Sequence, residues 1–86
     1  MTYKLQFRKS ALKQITHLSK TDQKRIYLAF QKLEKDLFSK NLDIKKLRGT
    51  KTSYRLRVGN VRAIFIPSPR IKKIFIWEVG YRGNVY

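Results

Sequence analysis

The chain has no cysteine, so it carries no disulfide framework, zinc knuckle or thiol nucleophile. It has one histidine and five carboxylates, too few to furnish a metal site readily, and no cofactor is expected. No apolar run approaches the length of a membrane span. The first residues, Met1-Thr2-Tyr3-Lys4-Leu5, lack the apolar core of an export signal, so the cytoplasm is the expected compartment and no membrane partner is expected. Acidic residues are few. Five Asp and Glu stand against 21 Lys and Arg, a formal net charge of +16 in 86 residues. Such a chain repels itself and calls for a polyanionic or acidic partner. It is nevertheless not a disordered tail, because 42% of its residues are hydrophobic and 13% aromatic, enough to build one small core.

There is no internal repeat and no linker, and the whole of residues 1–86 reads as one domain. Tyr3, Leu5 and Phe7 alternate with Lys4, Gln6 and Arg8, the period of a half-buried strand. Ser10 is placed to cap a first helix with Leu12, Ile15 and Leu18 as its apolar stripe. The polar stretch Ser19 to Asp22 predicts a tight break. A second helix follows, with Ile26, Ala29, Phe30, Leu33 and Leu37 on one face and fading near Ser39-Lys40-Asn41. The rest is β: Tyr54 to Val58, a two-residue Gly59-Asn60 turn, Val61 to Ile66, a break at Pro67-Ser68-Pro69-Arg70, and Ile71 to Val79. Phe75 and Trp77 are expected to pack in the core, and His17 to be a helix-face residue. The order β-α-α-β-β-β predicts an α+β domain, a helical hairpin packed on one face of an antiparallel-rich sheet with a basic open face opposite.

The Gly59-Asn60 turn fixes a sharper expectation. If Val58 pairs with Val61, Arg57 lies opposite Arg62, and Arg55 shares their face two residues away. Like charges directly opposite one another destabilise a sheet by roughly 0.2–1 kcal/mol per pair. No carboxylate in the hairpin or its turn relieves them, and Glu78 is the one expected on a neighbouring strand. Two readings fit: a solvated face that is basic because the whole chain is, and a phosphate site built of guanidinium groups, which grip phosphate bidentately and stay charged. Lys45, Lys46, Arg48 and Lys51 precede the hairpin and add to its field, either as a solvated loop or as a patch that tracks a nucleic-acid backbone. Beyond the last strand, Tyr81 and Arg82 are either a tail or a place for an unpaired base to stack.

Taken in order, Lys46-Leu47-Arg48-Gly49, Tyr54-Arg55-Leu56-Arg57-Val58-Gly59, Val61-Arg62 and Val79-Gly80-Tyr81-Arg82-Gly83-Asn84-Val85-Tyr86 resemble the RelE toxins of the RelE/ParE superfamily. With the N-terminal strand and helical hairpin, the resemblance spans essentially the whole chain. It implies a ribosome-dependent, metal-independent mRNA interferase that enters the A site of the small (30S) ribosomal subunit. There a 2′-hydroxyl attacks the adjacent phosphate of the message, and translation stops. It implies ribosomal RNA contacts by the basic surface and a cognate antitoxin protein that wraps this surface; the pattern of charge and aromatics makes Lys45, Lys46, Arg48, Lys51 and Tyr81 the expected RNA-binding residues. It carries the catalytic positions onto Arg55, Arg57, Arg62, Arg82 and Tyr86. Arg62 and Arg82 would stabilise the phosphate, Arg55 and Arg57 would serve the 2′-hydroxyl side and the leaving group, and Tyr86 would orient a base or assist proton transfer. The ParE branch has the same architecture but poisons DNA gyrase through protein contacts, and a basic RNA-binding module without catalysis is the third possibility.

Overall fold

A computed structural model describes residues 2–81. Its elements are β1 (Lys4–Phe7), α1 (Lys9–Thr16), α2 (Lys20–Lys35), β2 (Asp43–Lys46), β3 (Tyr54–Val58), β4 (Val61–Ser68) and β5 (Lys73–Tyr81). The strands form one sheet in the order β1-β5-β4-β3-β2. Only the β1–β5 pair is parallel; the other three pairs are antiparallel. The expected α+β architecture is present, with one strand more than the sequence reading gave. β2 lies where a charged loop was expected. Its Ile44 pairs with Leu56 on the helix side, so a single apolar side chain ties a highly charged strand to the sheet.

The helices bury one face. From α1 and the turn after it come Ala11, Ile15 and Leu18; from α2 come Ile26, Ala29, Phe30 and Leu33. They meet Leu56, Val61, Ala63, Phe65, Ile74, Ile76 and Val79 of the sheet. Phe30 and Phe65 are the largest fully buried side chains, and Phe7 meets Phe30 edge-on at 5.6 Å.

Several local expectations are corrected. Ser10 is not a cap: α1 starts two residues earlier than a Ser10 cap would place it, with extended Arg8 at the N-cap and no side-chain cap. The Arg8 N–H instead donates to the Ile76 carbonyl, so strand pairing turns the chain into the helix. Leu12 is exposed because Ala11, not Leu12, completes the stripe. Ser19 does cap α2, its hydroxyl accepting from the Asp22 N–H at 3.1 Å. That helix ends at Lys35, and Phe38 adopts φ +66° shortly after. β4 runs on through Pro67 and Ser68, and the break falls at residues 69–72. Trp77 is not in the core but 43% exposed, and Phe75 is only partly buried.

At the turn between β3 and β4, Gly59 has φ +60° while Asn60 stays out of the left-handed region, the φ signs of a type II′ turn. Past Phe7, where β1 ends, α1 closes the free side of β5: the Val79 N–H donates to Gln14 Oε1 at 2.9 Å. Among the described residues no helix is long and apolar enough to cross a membrane.

Phe30→Ala removes the side chain at the junction of α2 and the sheet. It should cost about 3–5 kcal/mol, a large share of the ~5–15 kcal/mol available to a small domain. Ser19→Ala should cost about 1 kcal/mol. Urea unfolding of both variants, read by far-ultraviolet circular dichroism, checks that order.

Candidate functional site

The pairing of β3 with β4 is the one the turn predicts: Val58 with Val61, Arg57 with Arg62, Leu56 with Ala63. Since Leu56 and Ala63 are fully buried under the helices, Arg55, Arg57 and Arg62 stand on the opposite face. β2 extends this face, placing Asp43 beside Arg57 and Lys45 beside Arg55.

Asp43 is the residue that sequence reasoning missed. Its Oδ1 accepts from Arg55 Nη2 at 2.7 Å, and its Oδ2 lies 4.0 Å from Arg57 Nε. The hairpin itself has no carboxylate, as expected, but Glu78 is not the one carboxylate on a neighbouring strand: β2 brings Asp43. The available signal was the alternation of Leu42 and Ile44 with Asp43 and Lys45, which marks a strand and puts Asp43 on the arginine face.

Arg55 is the better held of the two. Its side chain is only 12% exposed, against 42% for Arg57. Its Nε is buried and has no hydrogen-bond partner among the described residues. A buried guanidinium N–H without an acceptor is costly, so Arg55 is held here by its packing and its bond to Asp43.

An open cleft of about 400 Å³ lies at this point, lined by Lys45, Lys46, Leu47, Arg48, Arg55 and Arg62. Five of those six residues are cationic and none is acidic. Lys45, Lys46 and Arg48 thus join Arg55 and Arg62, although the sequence had them in a loop. Gly49, at φ +77°, turns the chain after Arg48, and Thr50 Oγ1 donates to the Leu47 carbonyl to close the turn. Lys51 lies exposed beyond that turn and does not line the cleft. Arg57 borders a separate groove between α2 and the β2–β3 edge, shared with Arg25, Leu28 and Lys32.

Tyr81 is placed differently from the expectation of a base-stacking residue. It pairs with Val61 on the helix side of the sheet, packs on the core, and its hydroxyl accepts from the Ser19 N–H at 3.0 Å. It holds the start of α2 to the end of β5. Arg82 and Tyr86 lie outside the described residues.

A two-helix layer on a five-stranded sheet, with a basic cleft on the far face, defines a small α+β domain. Solved structures that share this arrangement include RelE toxins of toxin–antitoxin pairs. Over 98% of this chain and 99% of its own, a chain of the archaeal RelE–RelB complex from Pyrococcus horikoshii OT3 superposes with a TM-score of 0.83 at 30% sequence identity. The RelB–RelE antitoxin–toxin complex of Methanococcus jannaschii matches at a TM-score of 0.76 and 32% identity, covering 88% of each chain. The intact RelBE complex of E. coli shares the fold at a TM-score of 0.80 and 20% identity, over 95% of this chain and 99% of that one. No protein-family sequence model matches the chain, and no curated protein matches it by sequence. The chain belongs to the RelE family of toxins.

Asp43→Asn should release Arg55 and remove one negative charge from the arginine face. The variant should bind inorganic polyphosphate severalfold more tightly at low ionic strength. The gap should close toward ~1 M salt, where the Debye length falls to ~3 Å. Isothermal titration across a salt series checks this; equal affinity at low salt would show that Asp43 does not compete with the anion.

Proposed function

We propose that this toxin is a ribosome-dependent mRNA endonuclease. The observation that carries the reading is the cleft in which Arg55 and Arg62 meet Lys45, Lys46 and Arg48, with no carboxylate in its lining. Membership of the RelE family supports it.

In the proposed reaction, the 2′-oxygen of one nucleotide attacks the adjacent phosphorus while the bond from phosphorus to the 5′-oxygen of the next nucleotide breaks. The products are a 2′,3′-cyclic phosphate and a 5′-hydroxyl. Charge builds on the phosphoryl oxygens, and pre-set guanidinium groups stabilise it without reorganising. Arg62 fills this role together with Arg82. Arg55 and Arg57 serve the 2′-hydroxyl and the leaving oxygen as hydrogen-bond donors and fixed charges. An arginine hardly deprotonates, so removal of the 2′-proton and delivery of a proton to the departing 5′-oxygen both fall to another group or to water. Tyr86 orients a base beside the scissile phosphate. The ribosome supplies the in-line geometry by holding the message in the A site, and the basic surface contacts ribosomal RNA.

The partner of this reading is a cognate antitoxin. The relatives from Pyrococcus horikoshii and Methanococcus jannaschii are in complex with RelB. An acidic or amphipathic segment that orders on binding suits the uncovered basic face.

The test is a cell-free translation reaction with purified protein, followed by primer extension on the message, beside the same RNA without ribosomes. Cuts inside codons are expected only during translation, and Arg62→Ala should reduce them by two orders of magnitude or more while unfolding at the wild-type urea concentration. An intact message with normal protein synthesis would overturn the nuclease reading; arrest of DNA rather than protein synthesis would point to gyrase.

A further inference from the structure

β5 carries one irregularity. Ile64 pairs with Glu78 and Phe65 with Ile76, so Trp77 is an extra residue between successive rungs, a β-bulge. Ile76 and Val79 are both buried against the helices, and the two residues between them are not. The bulge thus puts two consecutive side chains, Trp77 and Glu78, on the side of the sheet that bears Arg55 and Arg62. Without it, strict alternation would leave one.

Trp77 is the single tryptophan of the chain. An indole is the largest apolar group a protein can bury, yet this one is 43% exposed. It is also held in place. Arg8, which follows β1, sets its guanidinium carbon 4.2 Å from the ring centroid. The Arg8 backbone N–H is fixed to the Ile76 carbonyl at 2.9 Å. The pair is therefore an aromatic plate with a cation against it, anchored at both ends to β5 and standing on the arginine-bearing side of the sheet.

We infer that Trp77, backed by Arg8, is a stacking platform for an unpaired nucleobase of the RNA strand whose phosphates occupy the basic cleft. The inference rests on the reading of that cleft as an RNA site. Stacking on an indole is sequence-tolerant because every base has a π face, and an adjacent arginine adds attraction for both ring and phosphate. The platform adds grip and register to the strand without choosing its sequence. The basic cleft favours a polyanion and the indole favours one with unpaired bases, and single-stranded RNA has both.

Because the tryptophan is unique, its own fluorescence reports the contact. The full chain is titrated with a single-stranded oligoadenylate octamer in the absence of ribosomes, and separately with inorganic polyphosphate, which has the charge but no bases. The octamer should quench Trp77; polyphosphate should bind without quenching. Trp77→Leu should weaken octamer binding roughly tenfold, the size of one lost base–aromatic stack, and leave polyphosphate binding unchanged. Trp77→Phe should retain most of the affinity. Equal quenching by both polyanions, octamer binding with no change in fluorescence, or unchanged affinity in Trp77→Leu would each overturn the platform. So would quenching by an antitoxin peptide but not by RNA. If Trp77→Leu fails to fold, the wild-type fluorescence and Trp77→Phe decide. The outcomes separate from those of the nuclease reading: quenching by the octamer with an uncut message in translation refutes cleavage alone, and codon-specific cuts with a silent tryptophan refute the platform alone.

Discussion

Guanidinium groups on neighbouring strands repel one another, and in this protein the hydrophobic core holds them together regardless. Arg57 faces Arg62 only because Leu56, Ala63, Val58 and Val61 pair on the other side of the same two strands. Strand side chains alternate, so a slip of one residue would send the arginines into the core and the aliphatic groups into water. The cost of that exchange far exceeds the repulsion of one like-charge pair. The basic face is thus fixed by burial on the opposite face, and Asp43 trims the remaining repulsion by bridging to Arg55 at 2.7 Å. The placement of these arginines is set by the core rather than by any contact among themselves.

Much of this was legible in the sequence, for identifiable reasons. The hairpin could be read to the residue because Gly59-Asn60 fixes the turn and alternation fixes the faces. The helices could be placed because Ile26, Ala29, Phe30 and Leu33 recur at helical spacing. β2 was hidden because charge dominates it: only Ile44 of its four residues is apolar, and a short edge strand is stabilised by its neighbour rather than by its own pattern. Asp43 was missed with it. The environment of Trp77 was hidden because a bulge shifts the alternation by one residue, and no periodicity announces where a strand will bulge. Tyr81 was misjudged because its bond to the Ser19 N–H joins residues 62 positions apart.

Both edges of the sheet are handled by different means. β1 is short, and where it ends α1 takes over, with Gln14 satisfying the Val79 N–H. β2 is also short, and three of its four residues are charged, which discourages edge-to-edge pairing with another chain. Charge therefore serves twice in this protein: on the open face it gathers cations around an anion-sized cleft, and at the edge it protects the sheet.

The strand order has a consequence for how the protein comes into being. β5, the last element described, lies between β1 and β4 and contributes Ile74, Ile76 and Val79 to the core. A polypeptide growing from its N-terminus therefore has no partner for β1, and no complete seat for α1, until residues 73–81 have left the exit tunnel. The arginines of β3 and β4 are synthesised earlier, but the sheet beneath them stays unfinished until then. The nascent chain passes through the ribosome with its basic face unassembled, and the finished surface first exists only after the ribosome that made it has released that segment.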